Sequence, residues 1–245
     1  SQINMGATAI GTRVNAPEKY PEMVTEYLAE LTGLKLSLAQ DLIEATSDTG
    51  AYVQLSGVLK RTAIKISKIC NDLRLLSSGP RTGFNEINLP QMQPGSSIMP
   101  GKVNPVIPEV VNQTAFYVIG ADVTVTMAAE AGQLQLNVME PVIAFSLFSS
   151  IIWMSRACET LRVKCVNGIT ANADYAKRMV MNSVGIVTIL NPIIGYEASS
   201  SIAKEALKTG KSIHEIAVLE RKVVTQQKWD ELYSIENMIN PKFIL

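Results

Sequence analysis

The chain has 245 residues, with 22 Lys plus Arg balanced by 22 Asp plus Glu, a single His, three Cys, and 47% hydrophobic but only 6% aromatic residues. That is enough apolar material for one large domain or two small ones. Zero net charge removes the electrostatic footprint of a nucleic-acid or anionic-membrane binder, and the lone His214 excludes a metal site needing two His and most Ser-His or Cys-His pairings.

The opening Ser1-Gln2-Ile3-Asn4 lacks a basic stretch followed by apolar residues, so no signal peptide is expected. From Leu55 a heptad runs through Leu59, Thr62, Ile66, Ile69, Leu73 and Leu76, with Lys60, Arg61, Lys65, Lys68 and Asp72 on other faces. This spacing predicts a bundle helix of about seven turns. Next comes GPRTGFNEINLPQMQPGSSIMPG, residues 79–101, whose four Gly and four Pro forbid regular structure. Irregular loops of that length in compact domains are usually functional or disordered. Val106 to Met127 and Met139 to Val166 read as two more long helices, apolar on more than one face. The uncharged stretch from Pro141 to Ser155 falls short of the ~20 residues needed to cross a bilayer and reads as a buried helix. Three helices cannot bury all that surface alone, so oligomerisation through the long helices is expected. Asn167-Gly168 closes the third helix, Asn191-Pro192 opens a segment that Thr209-Gly210 stops, and short helices follow from Ser212 and over Thr225 to Tyr233. Alternating β-branched runs are nearly absent. The expected fold is mainly α: a helical-bundle domain over 1–168, and a small helical C-terminal domain over 169–245.

Cys70, Cys158 and Cys165 form no CxxC pair, and the last two, seven apart on one helix, would sit roughly 10 Å apart along its axis, too far to bridge. A reduced, cytoplasmic setting and a soluble chain are expected.

The chemistry concentrates in the loop 79–104. Its exit, GSSIMPGKVNP, packs two hydroxyls (Ser96, Ser97), a cation (Lys102), an amide (Asn104) and two flexible hinges (Gly95, Gly101) into eleven residues. Asn104-Pro105 reads as an N-cap followed by an N1 proline, and the helix start beside Lys102 would favour an anion. Each residue also has an ordinary reading: the serines as turn residues, Asn104 as a cap, Lys102 as a solvated charge. Their convergence in one Gly-framed loop supports function. A P-loop is excluded because Val103 stands where GxxxxGK[ST] needs a hydroxyl, and no GxGxxG follows a strand.

Residues 95–105 resemble the signature of the aspartase/fumarase superfamily, whose members eliminate across a Cα–Cβ bond to release fumarate. The resemblance extends to GATAIGT (6–12), LSSGPRTGFNEINLP (75–90) and AAEAGQLQLNVMEPVI (128–143), covering nearly the whole chain. Val106 after Asn104-Pro105, and Leu134-Gln135-Leu136-Asn137-Val138-Met139-Glu140-Pro141, are closer to the aspartate ammonia-lyases than to fumarases. The resemblance implies a long-helix bundle assembled as a homotetramer. It implies that Ser96 acts as general base from a mobile loop, Lys102 and Asn104 hold a substrate carboxylate, and Ser97 and Met99 line the closed loop. Glu109 matches a carboxylate that orients a His and sits near Lys102, although a Glu in a helix's first turn is also favoured by the macrodipole. No metal or organic cofactor is implied for the chemistry, with divalent-cation activation possible in some members. Fumarase activity and a non-catalytic structural role are the alternatives.

The chain departs from the superfamily in three ways. It is about half the usual length, similarity starting near the midpoint, which suggests a fragment carrying only part of the site. The upstream Ser-Thr-Asn group and Thr-His pair have no counterpart, and His214, within GKSIHEIAVLER, reads as a surface helix residue instead. Arg13 stands where the family usually has Gly, which affects local loop conformation.

Overall fold

The computed structural model describes residues 1–95, 98–99 and 101–240. The described chain is mainly helical and divides into two units, Ser1–Thr170 and Ala171–Leu245.

The first unit opens with a short parallel pairing of Gln2–Ile3 with Ser37–Leu38, around helix α1 (Tyr20–Thr32) and before α2 (Leu42–Ser47). The heptad reading began only at Leu55, and α1 lies upstream of it. Its signals are local: Pro21 and Glu22 in the first turn and the Gly33 backbone N–H closing on Ala29 O at its end. The motif GATAIGT packs against this region. A Cβ on Gly11 would lie 2.4 Å from Ile43 Cα, so only glycine lets the loop backbone touch the start of α2. Arg13 adopts φ 61°, the left-handed region, donates from its backbone N to Ala7 O at 3.0 Å, and pairs with Glu22 at 3.1 Å.

Three long helices follow: α3 (Gly50–Leu76), α4 (Val106–Glu130) and α5 (Glu140–Lys164). Contacts from one end to the other pair rising numbers in α3 with falling numbers in α4, and likewise α4 with α5, so neighbours are antiparallel. One core layer holds Cys70, Val111, Ala157, Leu161 and Cys165, the next Ala63, Ala115, Val118 and Met154, the last Val125, Ala128, Ile143 and Leu147. The predicted heptad is only partly the buried stripe of α3. Ser56, Ala63, Ser67 and Cys70 are buried, while Leu55, Thr62 and Ile69 are exposed. Small side chains let α3 and α4 approach closely, and the larger branched ones are displaced to the flanks.

Asn137 organises the turn between α4 and α5. It is 2% exposed, donates through Nδ2 to Ala128 O and Ala129 O at 2.9 and 3.2 Å, and accepts from Met139 N at 2.8 Å. One amide thus serves carbonyls at the end of α4 and a backbone N–H at the start of α5. Helix α5 is long and apolar enough to cross a membrane by length and composition, but it is a partly buried core helix of this bundle.

The second unit holds α6 (Ala173–Met181), a 3-10 segment Val184–Leu190, α7 (Asn191–Ile194), α8 (Tyr196–Thr209), a wide π turn Glu215–Glu220, α9 (Gln226–Leu232) and α10 (Ile235–Ile239). The segment expected from Asn191 onward is therefore broken at Gly195. Ser212 and Glu215 form a reciprocal capping box, Glu215 N to Ser212 Oγ at 3.1 Å and Ser212 N to Glu215 Oε2 at 2.7 Å. Leu190, Ile202, Ile216, Trp229 and Leu232 form the core. Tyr233 stacks on Trp229 at 3.9 Å and donates to Ile186 O at 2.8 Å; burial pushes its phenol pKa upward. His214 belongs to this unit, with Nε2 2.8 Å from Gln226 Oε1 and its ring edge-on to Trp229.

Candidate active site

The long loop is pinned at both ends by backbone chemistry. Beyond α3, Ser78 Oγ donates to Leu75 O at 2.6 Å and accepts from Phe84 N at 3.0 Å. Asn85 N and Glu86 N return to Ser78 O and Leu76 O at 2.7 and 2.9 Å. The chain thus folds back on the helix end. Asn88 Nδ2 reaches Thr170 Oγ1 at 3.2 Å, and Leu89 packs against the layer containing Cys70 and Val111.

The signature segment then begins and ends at a narrow neck. Asn104 Nδ2 donates to Gly95 O at 2.8 Å, and an ideal Cβ on Gly95 would lie 1.5 Å from Lys102 O, so no side chain fits there. Lys102 and Met99 are exposed, Asn104 and Glu109 half-buried. Ser96 and Ser97 lie outside the described residues. Gly101, Val103 and Pro105 form one wall of a cavity of about 180 Å³, with Ser77, Asn85, Asn88 and Leu89 on the other. Two of the motifs quoted above, 75–90 and 95–105, therefore meet on one cavity.

The expected cap at Asn104 is corrected. Helix α4 starts at Val106 with Pro105 in the cap position and no side-chain cap bond; Pro105 O accepts the early helical N–H of Glu109 at 3.1 Å. The amide of Asn104 is turned to the loop neck instead, because the carbonyl of Gly95 is within its reach. Sequence reasoning also missed Asn112, a 2%-exposed amide on the apolar stripe of α4. Its signal was a polar residue between Val111 and Ala115 on a face that must be buried, which demands partners.

The three cysteines are free thiols, Cys70 and Cys165 buried and Cys158 exposed. Burial, aided by the neighbouring Cys165, pushes the Cys70 thiol up to about 11, so it is a packing group and not a nucleophile at neutral pH.

Residues 1–120 match the family described as Lyase, and residues 186–240 the family described as Fumarase C C-terminus. The chain is 61% identical over 240 residues to the aspartate ammonia-lyase of Helicobacter pylori strain 26695, covering 98% of this chain and 51% of that protein. The chain is a homologue of the aspartate ammonia-lyases. It spans about half the length of the curated relatives it matches. Its fold is similar to a fumarate lyase:delta crystallin from Brucella melitensis bound to cobalt, at TM-score 0.89 and 49% identity over 94% of this chain and 50% of that one. It is also similar to a class II fumarase from Schistosoma mansoni, at TM-score 0.90 but 33% identity, over 98% and 53% of the two chains. The aspartase homologue thus shares the fold with the fumarase and far more sequence with the ammonia-lyase.

Proposed function

We propose that this chain supplies part of the active site of a carbon–nitrogen lyase that reversibly eliminates ammonia from L-aspartate to give fumarate. The observation that carries this reading is the loop neck. It holds Lys102 and Asn104 against Gly95, the residue directly before Ser96 in the chain. The stretch that carries a cation and an amide for a substrate carboxylate thereby passes beside the residue that precedes the proposed base in sequence.

In the proposed reaction Ser96 Oγ takes the proton from the substrate β-carbon. The electron pair moves onto the adjacent carboxylate, where Lys102 and Asn104 stabilise the added charge, then forms the Cα–Cβ double bond as the C–N bond breaks and ammonia leaves. A serine hydroxyl is a weak acid, so its alkoxide needs exclusion of water, backbone N–H donors and the Lys102 charge. Ser97 and Met99 line the closed loop, Gly95 and Gly101 flank it, and Glu109 supports Lys102. The chemistry runs on side chains and needs no organic cofactor. Divalent-cation activation is a separate matter: among the described residues no three His, Cys, Asp or Glu side chains gather to hold an ion, and no step is assigned to one.

The proposed assembly is a homotetramer through the long helices. Phe116 on α4 and Phe145 and Phe148 on α5 are 60–66% exposed in the single chain, an apolar excess that a neighbouring copy would cover. Three free thiols suit a cytoplasmic setting. Fumarate formation from aspartate, followed by ultraviolet absorbance in the full-length protein, tests the reading. Ser96→Ala is expected to abolish deamination with fold and assembly retained. Near-normal turnover in that variant removes Ser96 as base, and turnover of malate in place of aspartate replaces the ammonia-lyase reading with a fumarase.

A further inference from the structure

The α3–α4 seam is otherwise apolar or small, but two polar anchors cross it. The first is Asn112, whose Nδ2 lies 2.9 and 3.1 Å from Ser67 Oγ and Ser67 O and 3.1 Å from Asn71 Oδ1, and whose Oδ1 accepts from Arg74 Nη1 at 3.3 Å. The second is Asp122, ten residues further on, which accepts from Ser56 Oγ and Lys60 Nζ, each at 2.8 Å. Along a helix that separation is about 15 Å.

The two anchors differ in what lies beside them. Asn112 sits one turn past Glu109 and about two turns past the start of α4, where the chain emerges from the loop neck. Its partners occupy the last turns of α3, directly before Ser77, which walls the cavity that Gly101, Val103 and Pro105 close from the other side. A buried amide without partners is costly, and rotating α4 by one residue, about 100°, would carry Asn112 away from all four. Only one rotation and one axial height of α4 on α3 satisfy it.

We infer that Asn112 is a positioning residue for the signature loop. It fixes the first turns of α4 against the end of α3, and so fixes where Lys102, Asn104 and Glu109 stand. Its consequence for turnover rests on the ammonia-lyase reading above. Its consequence for the loop does not.

The test compares Asn112→Ala with Asp122→Asn in the full-length protein, well below the melting temperature of each. Both lose seam bonds and both are expected to lower Tm. Only Asn112→Ala is expected to lower kcat/KM for aspartate, by about tenfold or more and with a fall in kcat as well as a rise in KM, because the displaced groups both bind the carboxylate and stabilise the charge added to it. Amide hydrogen exchange from Gly101 to Val106 is expected to quicken in Asn112→Ala and stay unchanged in Asp122→Asn. Equal kinetic losses in both variants, or Asn112→Ala with wild-type kinetics and wild-type exchange at 101–106, overturn the inference. If the wild-type protein does not deaminate aspartate, the functional reading fails and the exchange comparison alone decides the role of Asn112. If Asn112→Ala does not fold, Asn112→Asp, which keeps an acceptor for Arg74 but loses the donors to Ser67 and Asn71, takes its place with the same expected outcomes.

Discussion

The two units solve the burial problem in opposite ways. In 171–245, short elements wrap Leu190, Ile202, Ile213 and Ile216 to 2% exposure or less, so the unit closes a core from its own residues. The longer bundle seals a seam that runs along its length, from Cys70 and Val111 through Ala63 and Val118 to Val125 and Ile143, and leaves Phe116, Phe145 and Phe148 largely outside. Short helices can surround a centre from many directions, whereas three long antiparallel rods have outer faces that nothing in the same unit can reach. The same contrast explains where the polar groups go. The bundle uses Asn112 and Asp122 to fix which way α3 and α4 slide, a need the C-terminal unit meets with Tyr233 and caps.

The strongest break of this comparison is Trp229→Ala. Removing a 3%-exposed indole that stacks on Tyr233 is expected to cost about 3–5 kcal/mol, read by chemical denaturation followed by circular dichroism. A loss below about 1 kcal/mol would mean that the C-terminal core is not closed by its own residues.

Asp122→Asn is expected to have a smaller effect, about 1–2 kcal/mol at neutral pH. Burial acts to raise the Asp122 pKa, but hydrogen bonds from Lys60 and Ser56 and the Lys60 charge outweigh it and hold the carboxyl below its ordinary value. The ionised, paired form therefore contributes stability above the unfolded carboxylate pKa of about 3.9, and this is lost as pH falls through the lower folded value. Denaturation curves of the two proteins should converge as pH drops below about 4. A gap that stays constant into that acid range would assign the effect to packing.

The smallest effect on the chain's own stability is expected from Phe148→Ser. At 66% exposure the ring contributes little to the single chain, so the change should stay within about 0.5 kcal/mol. Sedimentation velocity should nevertheless show a shift toward smaller species. An unchanged sedimentation profile would show that this face is not the covered one.

Much of this was legible in the sequence. The helix over 55–76, the two that follow and the stop at Thr209-Gly210 could be read because periodicity and punctuation are local properties. Helix α1 escaped although its start and stop signals are local: it is short, it buries Pro21 and Thr25, and it leaves the large apolar Leu31 and Tyr27 exposed, so its apolar positions are not its buried ones. The signature loop was legible as a cluster, but its neck was not: the bond from Asn104 to Gly95 joins residues nine apart through a turn that no spacing rule specifies. Asn112 was visible only as a polar residue on an apolar stripe, and its partners lie on α3 some forty residues away.

The amino-acid order determined the three long helices, the stop at Thr209-Gly210, that the chain is mainly α, and that two hydroxyls, a cation and an amide share one glycine-framed loop. These follow from backbone sterics, side-chain period and covalent adjacency, which act over a few residues. Tertiary structure alone decided which face of α3 is buried, how Asn104 is used, and that the loop's two ends share a cavity. Those depend on how closely two helices can approach and on which buried amides find partners, and both are settled only when distant segments pack.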